Sequence, residues 1–299
     1  MFEYTKDNHH AWSIDGVDFA WHTGPDHLFD ARHGKVNPSQ VFDFRTEVNK
    51  TVECIRASVS DEIFVTFSGG IDGEVICRSF IECGYKVTPL TYVYKYGVNE
   101  YDVGYARDFC KKFDIKGIEI EIDIMDFWHN QVDLYCEKYM LPHWICTWKA
   151  FLFDSFDGFL IQAQGWPQLL DVNGQLLIKE DSHHMNPLVL SGQAGIGEFY
   201  KYRPELTYSW LTDPDVYRWS GLMQKPFESI GQEKHFKFFA LSKFYLDDKH
   251  PLALREKRTG METIGKYAND AMHKCRKRYE NNVKIKTWNY ASYLNLISI

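Results

Sequence analysis

Ile63-Phe64-Val65-Thr66-Phe67-Ser68-Gly69-Gly70-Ile71-Asp72-Gly73-Glu74 decides how this 299-residue chain reads. The first five residues are a short apolar run of β-formers, which predicts a strand. Ser68-Gly69-Gly70 is a glycine turn. From Gly73 to Cys83 the positions Val75, Ile76, Ser79, Phe80 and Cys83 fall on one helix face, and Gly84 is placed to end that helix. A turn between strand and helix lies where an α/β sheet presents ligands, at the carboxyl ends of its strands. Gly69 and Gly70 let backbone N–H groups converge on an anion without a Cβ in the way. The helix start adds its positive end, about 0.3–1 kcal/mol per favourable charge. Ser68 offers a hydroxyl donor. Asp72 would repel a phosphate, so its presence makes sense with Mg²⁺ between the two. The stretch reads as a Mg²⁺-assisted cradle for a polyphosphate. The bland alternative is a glycine turn that binds nothing.

Outward from this stretch the pattern stays regular. Val87 to Val93 predicts a second strand. Tyr105, Ala106, Phe109, Cys110 and Phe113 mark a second amphipathic helix, and Ile118 to Ile122 a third strand. A helical region near 143–156 leads to a fourth strand, Phe159-Leu160-Ile161. Strands alternating with helices imply βαβ units, hence an α/β fold: a parallel twisted sheet with helices on both faces. Before it, 45–58 suits a helix, and 1–44 forms an N-terminal arm with short alternating stretches. After it, Asn173-Gly174 between two apolar runs signals a hairpin. Residues 186–230 read as loops with short helices, followed by helices at about 231–245 and 260–280. The expected division is an arm (1–44), a nucleotide-binding domain (45–185) and a mostly helical C-terminal substrate or interaction region (186–299).

Ser68-Gly69-Gly70-x-Asp72 after the first strand of such a sheet resembles the PP-loop of the ATP pyrophosphatases. That superfamily includes the synthetase domains of asparagine, GMP and NAD synthetases and tRNA-thiolating enzymes; PAPS reductases share its HUP/Rossmann-like fold. The strand–helix pattern is similar from about residue 60 to 165. The resemblance implies ATP and Mg²⁺ as cofactors, cleavage between the α and β phosphates, transfer of AMP to a substrate oxygen, and displacement by a nucleophile. It implies that Ser68, Gly69, Gly70 and Asp72 hold pyrophosphate and Mg²⁺, with Gly73 next to them. It puts Phe67, Tyr92 and Val93 near adenine and ribose, and Gln164 and Gly165 at the end of the fourth strand. Lys149 sits where several members keep a basic residue for phosphate, and it is taken with Asp72 as catalytic. Gly73 departs from the pattern, since many members carry Ser or Thr there. No CxxC pair or Met-Cys start is present, and Glu-Cys-Gly occurs only at 82–84, at the end of the first helix rather than in the tail, so the zinc, iron–sulfur, PAPS reductase and glutaminase chemistries of the family lack their residues.

Charge narrows the partners. The net charge of −7 excludes a generally basic, DNA-coating protein. Between Lys249 and Lys286, however, 11 Lys/Arg stand against four Asp/Glu, while the remainder carries 23 basic and 37 acidic residues. Arg255, Lys257 and Arg258 are the compact core of that segment, placed to fold back over the cradle or to face solvent. Their Arg-x-Lys-x-x-Gly order loosely resembles a stretch of some phage-encoded PP-loop proteins. Gly260 to Tyr267 nearly spells a Walker A loop, but Tyr267 replaces its Ser/Thr and no apolar strand precedes it. His9-His10 and His183-His184 have no partner spacing for a metal. Seven cysteines suit buried thiols in a reducing compartment rather than disulfides. With no signal-peptide pattern and no run long enough to span a membrane, a cytoplasmic location is expected.

The leading expectation is an ATP-dependent, AMP-forming enzyme acting on a small-molecule or RNA acceptor, with self-association left open. Two alternatives stand beside it. One is sulfonucleotide chemistry of the PAPS reductase kind, with Cys146 as its thiol. The other is a nucleotide-binding module with an inactive loop.

Overall fold

The computed structural model describes residues 10–14, 17–18, 29–139, 156, 158–164, 168–172, 175–181, 194–213, 258–260, 264 and 285–299. Near the amino end, β1 (His10–Ile14), β2 (Val17–Asp18) and β3 (Phe29–His33) form an antiparallel sheet in the order β2-β1-β3. Helix α1 (Phe44–Ser58) follows. Asp43 caps it, with its carboxylate accepting from the Thr46 N–H at 3.2 Å and the Thr46 hydroxyl at 2.6 Å.

The central sheet then begins with β4 (Ile63–Thr66), α2 (Ile71–Glu82) and β5 (Thr88–Tyr94). Helix α2 ends where the sequence predicts. Gly84 adopts φ +76°, its N–H reaches the Ile81 carbonyl, and the Tyr85 N–H closes on Phe80 at 2.8 Å. The run continues through α3 (Glu100–Lys112) and β6 (Ile118–Ile122). Next come α4 (Ile124–Asp126), a π-helical stretch (Phe127–Gln131) and α5 (Val132–Tyr139), then β7 (Phe159–Ile161). The helical stretch from 124 to 139 was not expected from the pattern.

Strands β8 (Gln168–Val172) and β9 (Gln175–Asp181) pair antiparallel, with Val172 opposite Gln175, so the two-residue connection expected at Asn173-Gly174 is the one observed. Strand β10 (Gly195–Ile196), a 3₁₀ turn (Phe199–Lys201) and α6 (Pro204–Thr212) follow. At the carboxyl end, β11 (Ile285–Asn289) adds to β9, and α7 (Tyr290–Ile297) closes the described chain.

Five strands form the central sheet in the order β6-β5-β4-β7-β10, and every pair is parallel. Numbered along the chain this is 3-2-1-4-5, the doubly wound order, and the direction of progression reverses between β4 and β7. One face of β4 and β7 (Ile63, Val65, Phe159, Ile161) packs into a cluster with Val52 and Ile55 of α1, Ile76 and Phe80 of α2, Trp210 of α6 and Tyr293 and Ile297 of α7. Burying each such side chain contributes about 1.5–3 kcal/mol. The α/β reading, a parallel five-stranded sheet packed with helices, therefore holds. The Val36 N–H also bonds to the Ile297 carbonyl at 2.7 Å, joining the segment before α1 to the end of α7.

The helices expected near 143–156, 231–245 and 260–280 lie almost wholly outside the described residues. Within the last, the Ile264 N–H bonds to the Gly260 carbonyl at 3.1 Å, one helical turn from the glycine. No helix among the described residues is long and apolar enough to cross a membrane.

Candidate functional site

The loop from Phe67 to Gly70 leaves the end of β4 beside β7, at the reversal of strand order. Four contacts set its path. The Phe67 N–H bonds to Leu90 of β5 at 2.8 Å, and the Thr91 hydroxyl donates to the Phe67 carbonyl at 2.8 Å. The Phe67 ring is 1% exposed and meets Phe109 edge-on at 5.1 Å, so it belongs to the core. The Ala163 N–H donates to the Thr66 hydroxyl at 3.3 Å, clipping the tip of β7 to that of β4.

Past this anchor, Ser68 is exposed and Gly69 turns into the left-handed region at φ +81°. A Cβ on Gly69 would lie 1.9 Å from the Asp102 carbonyl oxygen of α3. Glycine is required there twice, for the backbone angle and for the close approach. Gly70 is the N-cap of α2 and, as a glycine, supplies no side-chain cap to that helix start. Asp72 is half-buried in the first turn. Gly73 has its own steric reason: a Cβ there would meet the Phe67 ring at 2.8 Å and the Thr66 carbonyl at 3.1 Å. The Ser or Thr that the resemblance leads one to expect here could enter only if these neighbours shifted.

A second wall comes from the segment after β10, within the stretch 186–230 expected to hold loops with short helices. The Tyr200 hydroxyl donates to the Asp72 carbonyl at 2.7 Å, tying this wall to the first turn of α2. The Phe199 N–H reaches the Gln162 carbonyl at 3.4 Å, and the Tyr200 N–H reaches Gln164 at 3.2 Å. Glu198 and Lys201 pair at 3.2 Å, with side chains 1% and 4% exposed. Two charges taken out of water are costly unless they meet each other. Their Glu-x-x-Lys spacing was the available signal, and it is too common on surfaces to stand out.

The third wall is α3. Asp102 is buried, and its carboxylate accepts from the Arg258 N–H at 2.8 Å. The Arg258 guanidinium lies 4.9 Å from the Tyr101 ring centre. A Cβ on Gly260 would fall 2.6 Å from the Val98 carbonyl, so this glycine lets the 258–260 segment lie directly on the loop before α3. Arg258 is thus held against Asp102, whose carbonyl is the one packed on Gly69.

The expected residues separate into three groups. Ser68, Gly69, Gly70, Asp72 and Gly73 form one loop and helix start; Gln164 and Arg258 flank it through the contacts above. Phe67 belongs to the core, and Tyr92 and Val93 to the sheet, where they sit within β5, paired with Ile120 and Glu121 of β6. Tyr92 is 6% exposed, and burial pushes its phenol well above the usual range. Lys149, Gly165, Arg255, Lys257, Cys146, His9, His183 and His184 lie outside the described residues.

Among the described residues no group of three or more His, Cys, Asp or Glu is arranged to hold a metal. A single carboxylate suits Mg²⁺, which takes one or two from protein and the rest from water and phosphate. Asp72, beside an exposed Ser68 and an uncapped helix start, fits that donor set.

No family model and no curated protein matches the chain. Among solved structures, it is similar to an NMN synthetase from Francisella tularensis. The identity is 14%, the match covers 78% of this chain and 94% of that one, and the TM-score is 0.34. It is also similar to an NH₃-dependent NAD synthetase from Campylobacter jejuni in complex with the nitrate ion. Here the identity is 15%, with 72% and 100% covered and a TM-score of 0.35.

Proposed function

We propose that the protein is an ATP-dependent adenylating enzyme of the PP-loop kind, forming AMP and pyrophosphate. The observation that supports this most is the Ser68–Asp72 loop: a glycine turn with a positive φ and an uncapped helix start, at the strand-order reversal of a parallel sheet. An acceptor oxygen would attack the α-phosphorus while the bond to the pyrophosphate oxygen breaks. An amine, ammonia or sulfur nucleophile would then displace AMP. The Ser68 hydroxyl and the loop N–H groups stabilise the negative charge that grows on the leaving pyrophosphate. Asp72 would hold Mg²⁺, which when bound supplies charge neutralisation between the phosphates. Tyr200 fixes the start of α2 so that these donors keep their aim. Lys149, Gly165, Arg255 and Lys257 complete the proposed site, with Arg258 at its edge. The acceptor is a small molecule or an RNA.

Gly73 does not favour an inactive loop, since its contact with Phe67 already accounts for it. Sulfonucleotide reduction would need a thiolate near the cradle. Cys146, the thiol expected for that chemistry, lies outside the described residues; among the described thiols, burial raises those of Cys77, Cys83 and Cys110 above their ordinary values, which keeps them protonated at neutral pH. Pyrophosphate release with a panel of acceptors tests the proposal. Acceptor-dependent release, lost in Asp72→Ala, is expected; phosphate release in its place, or full activity in that variant, contradicts it.

A further inference from the structure

We infer that the side-chain amide of Gln162 reads the N6/N7 edge of an adenine base bound across the tips of the central sheet. The inference rests on the nucleotide reading above. Gln162 is the residue after β7, and its backbone is fully engaged. Its N–H donates to Ile196 of β10 at 2.8 Å, and its carbonyl accepts from Gln164 at 2.8 Å and Phe199 at 3.4 Å. The residue is 1% exposed, yet both polar atoms of its side chain are buried without a hydrogen-bond partner. A buried amide that finds nothing in the fold destabilises it, and an apolar side chain of the same shape would avoid that cost. Glutamine at this position fits a partner that arrives with a ligand.

The place indicates which ligand. Ala163, next in the chain, is clipped to Thr66, two residues before Ser68. Gln162 therefore stands at the strand-order reversal, beside the phosphate cradle. Phe159 and Ile161 face the core shared with α2. Gln162 continues the pleat of β7, so its side chain leaves on the opposite face, with that of Leu160. A nucleotide with its phosphates at the start of α2 reaches that face when its base crosses the strand tips at the crevice between β4 and β7.

The chemistry matches. A carboxamide presents one acceptor and one donor side by side. On its N7 side adenine presents a donor, N6–H, next to an acceptor, N7, whereas guanine presents two acceptors. Glutamine satisfies the first pair at both ends and leaves one end of the second unmet. Gln162 would thus give the site its preference for ATP.

Isothermal titration with non-hydrolysable ATP, its counterpart lacking the 6-amino group, and the guanine analogue tests this in the wild type and in Gln162→Leu. The wild type is expected to prefer the adenine ligand over both others by about tenfold. Gln162→Leu should lose that preference while still binding triphosphate, and its unliganded melting temperature should be unchanged or higher. Retained preference in Gln162→Leu overturns the inference and leaves the nucleotide reading standing. That result would also follow if the amide met a carboxamide on the acceptor instead. A lower melting temperature with the preference intact assigns Gln162 to the fold alone. If the wild type binds no triphosphate, the nucleotide reading falls and this inference with it.

Discussion

Gly69 carries the tightest constraint in the site. Its φ of +81° and the 1.9 Å approach of any Cβ to the Asp102 carbonyl act together. Gly69→Ala should cost about 1–3 kcal/mol from backbone strain alone, with the clash added, and should move Ser68. Thermal unfolding and nucleotide titration of that variant check this; a melting temperature and affinity equal to wild type would contradict it. Gly73 offers a comparison, because sequence suggested a missing hydroxyl and the structure shows a missing clash. Gly73→Ser should therefore lower stability by about 1–3 kcal/mol and fail to raise activity. The glycine-rich loop was legible because glycines between an apolar run and a helical face have few explanations. Glu198, Tyr200 and Lys201 were not, because what distinguishes them is burial and, for Tyr200, the bond to Asp72, and these depend on chain segments more than 100 residues apart.

At the scale of elements, β4, the loop and α2 work as one unit, and Tyr200 is the brace on the far side. Removing its hydroxyl in Tyr200→Phe deletes the bond to the Asp72 carbonyl and should cost about 1 kcal/mol. The more telling readout is a weaker hold on pyrophosphate with the acceptor KM unchanged. Equal pyrophosphate affinity in Tyr200→Phe would deny it the bracing role. The strands of this unit were legible because buried parallel strands read as continuous apolar runs. The elements that escaped were those whose signal is too short or too mixed. Strand β10 is two residues long, and the α4–α5 helix contains a π-helical stretch that breaks the 3.6-residue period. Strand β11 takes its place by pairing with β9, a partner more than 100 residues earlier.

The whole molecule shows why charge asymmetry and sheet order belong together. The basic segment of an otherwise acidic chain comes back to α3 at Arg258, whose backbone N–H is held by Asp102. Asp102→Ala should release that segment, seen as faster amide exchange at 258–260; unchanged exchange would argue that the bond holds nothing. Titrating groups set a pH window for the fold. Burial, with Glu53 and Glu82 adding to it, raises the Cys83 thiol from 9.0 to about 11, and burial also raises the Tyr92 and Tyr94 phenols. An acid whose folded value is raised stabilises the fold below its unfolded value and loses that contribution as pH climbs through the folded one. The melting temperature should fall from about pH 9 upward. Glu119, held low by its bond from Arg107, and Asp126, held low by Asn130 and Gln131, act in the opposite sense. Their contribution is present above the ordinary carboxylate range and fades as pH falls below about 4. Thermal scans across this range should show a plateau between the two limits; a melting temperature that stays flat through pH 11 would contradict the upper one.

The central claim is that Ser68 to Asp72 form a pyrophosphate cradle. Calorimetric titration of pyrophosphate with and without Mg²⁺ tests it without any knowledge of the acceptor. The wild type should bind pyrophosphate more tightly with Mg²⁺ than without. Ser68→Ala should weaken binding by about tenfold, and Asp72→Asn should abolish the dependence on Mg²⁺. Absence of binding in the wild type, or equal binding in all three proteins, would contradict the claim.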